Sequence, residues 1–283
     1  MHRRGSGLLL ALLLCAGCRS AAAAERLTLA TTTSVRDSGL LEHILPDFES
    51  REHVRVAVVA VGSGQALEIG RRGDADVLIV HSPDAEKAFL KEGHGAFRWR
   101  IMWNYFAIVG PEGDPAGVRG SPTAAAGMAK IAASSRTFVS RGDDSGTHVK
   151  ELALWKAAGL DPSSFASWYK SIGSGMAAAL RMAFEMDAYT LTDEGTYRSI
   201  PEVGEAATVK PGLVILLGGL DHPAEDLRNV YSVIPVNPDR HPGVQSDLAR
   251  HFATWITSEG AAAKIRQYRI GGHPLFEPSP ERH

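Results

Sequence analysis

Val54-Arg-Val-Ala-Val-Val-Ala-Val61 runs into Gly62-Ser63-Gly64, and a helical pattern follows from Gln65 to Arg72. The run is β-branched and apolar with little alternation, the pattern of a strand buried on both faces. A strand that passes through a glycine-serine turn into a helix is the opening of a β-α-β unit. The same succession stands on either side. Leu27 to Thr31 reads as a strand, and Val35 to Glu52 as one helix with apolar Leu40, Leu41, Ile44, Leu45 and Phe48. Ala75 to Val80 reads as a further strand and Asp84 to Gly93 as a further helix. Such alternation predicts an α/β fold with a parallel sheet.

The second half repeats the pattern. Trp103 to Val109 reads as a strand, ended sharply by Gly110-Pro-Glu-Gly-Asp-Pro115. Helices are expected at Thr123–Ser134, His148–Ala158 and Gly175–Met186, and strands at Arg136–Val139 and Ala188–Leu191. Tyr231 to Val236 is a strand closed by Pro238, and Gln245 to Tyr268 ends the chain as helices. Trp155, Trp168 and Tyr169 are expected in cores.

The 283 residues exceed the commonest single-domain length, so one large domain or two lobes is expected. Thirty Lys+Arg against 32 Asp+Glu give a net charge of −2, which excludes a nucleic-acid binder held by a basic surface. Both cysteines, Cys15 and Cys18, precede the first globular segment, so neither a disulfide framework nor a cysteine-ligated zinc fold is expected. Residues 1–24 read as a signal peptide: basic Met1-His-Arg-Arg4, an apolar Leu8–Leu14 core, then small residues. Cleavage before Cys18 would leave a lipid-anchored protein; cleavage after Ala21–Ala24 would leave a soluble one. Either route gives a periplasmic or otherwise extracytoplasmic protein. Val209 to Leu220 is the longest later apolar run, but Lys210, Pro211 and its glycines break it as a membrane span.

The loops between strands and helices carry the functional signal. Thr31-Thr32-Thr33-Ser34, Gly62-Ser63-Gly64, Ser140-Arg141-Gly142-Asp143-Asp144-Ser145-Gly146-Thr147 and Gly173-Ser174-Gly175-Met176 are all rich in hydroxyls and glycine. Helix N-termini present unpaired N–H groups and partial positive charge, glycines admit a close ligand, and Ser or Thr adds donors. Each loop taken alone is an ordinary turn or helix cap. Four of them, two in each half, fit a site for a compact anion at the carboxyl ends of the strands. Arg141 is the cation embedded in these loops, and its fork suits tetrahedral oxygens; pairing with Asp143 or Asp144 is the competing reading.

Other chemistry has less support. Ser145, His148 and Asp143 or Asp144 lie too close together for a nucleophilic triad, and no Gly-x-Ser-x-Gly elbow occurs, so no enzyme is expected. Gly62-Ser-Gly-Gln lacks the third glycine of a dinucleotide fingerprint. The 11 histidines are scattered, so no metal-cation site or cofactor is expected.

Thr31-Thr-Thr-Ser34, Val61-Gly-Ser-Gly-Gln-Ala-Leu67, Asp76-Val-Leu-Ile-Val-His81, Ser140-Arg-Gly-Asp-Asp-Ser-Gly-Thr-His148, Tyr189-Thr-Leu-Thr-Asp193 and Val233-Ile-Pro-Val-Asn-Pro238 together resemble the tungstate-binding proteins of ABC uptake systems. The resemblance implies a type II periplasmic-binding-protein fold, two α/β lobes with parallel-dominated sheets joined by two hinge strands. Lobe one would be 25–105 and 233–283, lobe two 106–232, with hinges near Asn104–Phe106 and Tyr231–Pro235. It implies an oxyanion site at Thr32, Thr33, Ser34, Ser63, Arg141, Ser145, Thr147, Ser174 and Gly175. It also implies a monomer that hands tungstate to an ABC permease driven by a cytoplasmic ATPase. Three positions differ from the family's usual pattern: Tyr105 stands where Asp is usual, Glu194 where Arg is usual, and Ser174 where Gln is common. Glu194 is thereby expected to set an anion near the mouth of the site.

The choice of anion stays open on the residues themselves. Phosphate carries a proton at neutral pH and rewards a carboxylate able to accept it, a role open to Asp143 and Asp144. Molybdate and tungstate are fully ionised and reward donors alone; no donor set separates those two. A clamshell oxyanion sensor without transport is the further alternative.

Overall fold

The computed structural model describes residues 25–204, 207–220 and 222–282. The leader and the lipidation reading at Cys18 lie outside the described residues. Strand β1 (Glu25–Thr32) is followed by a short helix α1 (Thr33–Asp37) and by α2 (Leu40–Glu52). The single helix expected over Val35–Glu52 is therefore two. Gly39 adopts the left-handed conformation (φ 74°), and the Tyr268 hydroxyl, which donates to the Ser38 carbonyl at 2.5 Å, lies only 2.6 Å from where a Cβ would stand. Then come β2 (Val54–Val61), α3 (Ser63–Arg72), β3 (Val77–Val80), α4 (Pro83–Lys91) and the long β4 (Trp99–Pro111).

The second run is α5 (Ala124–Ala133), β5 (Phe138–Ser140), α6 (Gly146–Ala157), β6 (Tyr169–Ser171), α7 (Met176–Glu185), β7 (Tyr189–Asp193) and α8 (Glu194–Arg198). It continues with β8 (Leu213–Gly218) and β9 (Arg228–Pro235). The chain ends with α9 (Ser246–Ile256), α10 (Glu259–Gln267), a small ribbon β10 (Arg269–Ile270) and β11 (His273–Pro274), and β12 (Glu277–Arg282). The apolar run around Val209–Leu220 is accounted for by β8, which pairs with β4.

Strand order is β2-β1-β3-β9-β4-β7-β5-β6, with β12 and β8 also on β4. The sheet is mixed. β1 runs parallel to β2 and β3, and β5 parallel to β6 and β7, as the alternation implies. The central β4 and β9 run antiparallel to each other and to their outer neighbours. β4 changes partner along its length. Trp99 to Tyr105 pair with β9, whereas Phe106 to Val109 pair with β7, and β8 takes the other side of Ala107–Pro111. β2 departs from the expectation of burial on both faces: it is the edge strand, and Val58 is 36% exposed. Composition alone does not distinguish a central strand from an edge that is covered by helix on one side.

Apolar packing divides along the same line. One core joins Leu27, Leu29, Leu41, Ile44, Phe48, Tyr231, Phe252, Ile265 and Phe276 beneath β1, β3 and β9. Another joins Phe106, Ile108, Met128, Phe138, Trp155, Tyr189 and Leu227 on β4, β5 and β7. Trp155 is fully buried, with Trp168 and Tyr169 packed against its cluster.

Candidate functional site

Parallel pairing puts the informative loops on one edge of each sheet. Thr32 stands opposite Val61 and Thr31 opposite Ile79, so Thr32–Ser34, Gly62–Gly64 and His81 leave adjacent strands at their carboxyl ends. In the other sheet Ser140 stands opposite Ser171 and Val139 opposite Thr190, which gathers Arg141, the Gly173–Gly175 loop and Asp193. The Ser174 N–H donates to the Arg141 carbonyl at 3.0 Å, tying two of these loops directly.

The two edges face each other. A Cβ built on Gly146, the first residue of α6, would stand 3.2 Å from Cε1 of His81 at the end of β3. A Cβ on Gly195 in α8 would meet Ser38 beside α1 at 4.0 Å. Between them runs a polar chain that starts at half-buried His81 and continues into the interior: His81 Nδ1 to Asn229 Oδ1 at 2.9 Å, and Asn229 Nδ2 to both Asn104 Oδ1 and the Tyr231 hydroxyl at 2.9 Å. Because Asn229 spends its amide hydrogens on those two oxygens, its carbonyl must accept from His81, which fixes the Nδ1–H tautomer. Burial pushes the His81 imidazole down to about 4, against the hydrogen bond to Asn229. Burial raises the Tyr231 phenol, the nearby Asp193 carboxylate adds to the rise, and the hydroxyl of Ser34 opposes it. Burial also raises Asp193, which Thr196 counters with hydrogen bonds and Arg141 with its charge.

Each expected site residue has a defined place. Thr32 caps α1, accepting from the Val35 N–H, and its hydroxyl lies 3.1 Å from that of Ser34. Thr33 is exposed at the first position of α1. Ser63 is the first residue of α3; its hydroxyl is buried and has no hydrogen-bond partner among the described residues. Helices α3 and α7 start after Gly62 and Gly175, and neither receives a side-chain cap. Ser145 caps α6 by accepting from His148 N–H, and Thr147 is buried one residue into that helix. Arg141 is 15% exposed and pairs with Asp143, donating from Nε and Nη2 to one carboxylate oxygen at 3.2 and 2.5 Å. The structure brings the four loops together at the junction of the two sheets.

Several groups escaped the sequence reading. Asn104 and Tyr231 lie within strands read as apolar, whereas His81, Asp193 and Asn229 lie just outside the strand bounds read from the sequence, and their meeting depends on antiparallel pairing across long separations. Lys150 follows Thr147 by three residues on α6, one helical turn on. It makes no ion pair among the described residues, and burial lowers its ammonium pKa against the charge of Asp226. The expectation for Glu194 is corrected. Its side chain is 1% exposed and accepts from Arg198 at 2.8 Å and from the Leu220 N–H at 2.9 Å. That anion is neutralised inside the fold and does not line the mouth. A triad is absent from the Ser145 segment: Ser145 bonds the backbone of His148, and the His148 ring accepts from the Asp144 N–H.

Comparison with known proteins fits this geometry. Residues 19–260 match the model of a PBP superfamily domain. A tungstate-binding protein TupA of Peptoclostridium acidaminophilum is 45% identical over 258 residues, covering 89% of this chain and 85% of that protein. The solved structure of the tungstate-binding protein TupA from Desulfovibrio alaskensis G20 superposes with a TM-score of 0.82 at 42% identity, covering 91% of this chain and 100% of that one. The structure of the tungstate ABC transporter from Geobacter sulfurreducens superposes at 0.73 with 45% identity, over 86% and 99% of the two chains. With its alternating halves, its crossing central strands and its facing loops, the chain belongs to the PBP superfamily, in the family of the tungstate-binding proteins.

Proposed function

We propose that this protein captures tungstate, with molybdate as its near chemical equal, between two lobes outside the cytoplasm and delivers it to an ABC permease. The reading places lobe one at about 25–105 with 228–282 and lobe two at 106–227. The pairing of Arg228 with Tyr105 on β4 supports a second crossing before Arg228, where the sequence puts it near Tyr231–Pro235. Thr32, Thr33, Ser34 and Ser63 would supply donors from lobe one, and Arg141, Ser145, Thr147, Ser174 and Gly175 from lobe two. The α3 and α7 N-termini add backbone N–H groups and partial positive charge.

The observation that carries the choice of anion is the state of the carboxylates. Asp143 turns one oxygen to Arg141 and the other to the Ser145 N–H; Asp144 is 98% exposed beside His148; Asp193 turns both oxygens to Thr196. None is poised to take the proton that phosphate carries at neutral pH. The other candidate groups, Thr32, Thr33, Ser34, Ser63, Ser145, Thr147 and the Arg141 guanidinium, are donors, and donors suit a fully ionised dianion. The identity to tungstate-binding relatives supports the same anion.

Competitive calorimetry with tungstate, molybdate, phosphate and sulfate tests the reading, and tungstate no tighter than sulfate would defeat it. Tungstate at a hundred times its dissociation constant adds about 2.7 kcal/mol, raising the melting temperature by roughly 5–10 °C. Arg141→Ala is expected to lose about a hundred-fold in affinity, as charge-assisted hydrogen bonds are worth about 1.5–3 kcal/mol each.

A further inference from the structure

We propose that Asp143 is a positioning residue for anion capture: it holds the Arg141 guanidinium against the start of α6 so that its remaining N–H groups face the ligand before the ligand arrives. The inference rests on the oxyanion reading above and deepens it. Simple Coulomb repulsion makes a carboxylate two residues from the site's arginine unfavourable for binding an anion. The geometry shows what offsets that repulsion. Both Nε and Nη2 of Arg141 donate to Asp143 Oδ2, while Asp143 Oδ1 accepts the Ser145 N–H at 3.3 Å. One carboxylate thus clips the edge of the guanidinium to the cap residue of α6. A guanidinium has five N–H donors, so two are spent on the clip and the Nη1 pair plus one on Nη2 remain.

The clip is built into a fixed loop. The Arg141 carbonyl accepts from Ser174 N–H, and Ser145 caps α6. The pair is largely shielded from solvent, at 15% and 21% exposure. Burial would raise the Asp143 carboxyl, but hydrogen bonds from Ser145 and Arg141 overcome it and hold the group below its ordinary value, so the clip stays charged near neutral pH. An arginine released from such a hold regains its rotamer freedom and must lose it again on binding, a penalty worth roughly ten- to thirty-fold in affinity.

The two effects of Asp143 have opposite signs, and this makes the test decisive. Wild-type protein, Asp143→Ala, Asp143→Asn, Arg141→Ala and the double variant Arg141→Ala/Asp143→Ala are titrated with sodium tungstate in a calorimeter, with urea melts to check folding. If R141A binds too weakly to titrate, the melting shift at millimolar tungstate replaces the heat. D143A is expected to bind about ten- to thirty-fold more weakly, and D143N, whose carbonyl still accepts from Arg141, to fall between. In the R141A background, loss of Asp143 is expected to leave affinity unchanged or to raise it, because nothing remains to position. D143A binding as tightly as wild type or tighter would overturn the proposal. So would an equal loss in the R141A background, which would mark a role in loop structure alone. Absence of tungstate binding by the wild type would instead defeat the oxyanion reading.

Discussion

His81 at the end of β3 closes on Gly146 at the start of α6: a methyl on Gly146 would stand 3.2 Å from the imidazole Cε1. The two residues belong to different sheets, so their approach measures how tightly the facing edges meet. Gly146→Ala favours α6 by up to about 1 kcal/mol as a helix position. It also forces the ring to give way, and overpacking of that kind opposes closure by about 1–3 kcal/mol. The expected result is tungstate affinity lower by about five-fold or more, with unliganded stability held, read by calorimetry and thermal melting.

Ser63 offers a variant whose two effects diverge. Its buried hydroxyl has no partner among the described residues, and an unsatisfied buried group costs about 1–3 kcal/mol. Ser63→Ala is expected to leave the unliganded protein as stable or slightly more so. Affinity for tungstate is expected to fall by about five-fold, the worth of one hydrogen bond. A loss of stability without a change in affinity would remove Ser63 from the site.

His81 makes stability depend on pH. Its folded value is about 4 against an ordinary 6.5, so between those values the unfolded chain binds more protons than the native one. Stability from this group is present above pH 6.5 and is lost as pH falls toward 4, by roughly 3 kcal/mol at most. His81→Gln, which can still donate to Asn229, is expected to flatten the melting temperature between those pH values. An unchanged slope in that variant would assign the acid sensitivity elsewhere.

Glu194 and Arg198 form a buried pair, at 1% and 6% side-chain exposure. Glu194→Ala removes one charge of that pair, which destabilises by about 3–5 kcal/mol and lowers the melting temperature by roughly 10 °C or more. Tungstate affinity, measured well below that transition, is expected to change little. A large affinity change with normal melting would return Glu194 to the mouth of the site.

The amino-acid sequence by itself determined the succession of elements and the identity of the donors. β-Branched runs and glycine turns act over a few residues, so β1, α3 and α6 were legible from local spacing, whereas the capping by Thr32 and Ser145 is seen only in the structure. The break at Gly39 was less so, because a lone glycine in a helical pattern turns the chain here only in concert with Tyr268, far along the sequence. Strand order, the antiparallel crossing of β4 and β9, and the edge position of β2 belong to tertiary structure. So do the His81–Asn229 bond, which spans 148 residues, and the burial of Glu194 against Leu220. Pairing across such separations is decided by which surfaces the whole chain can bury together, and no short window of sequence carries that information.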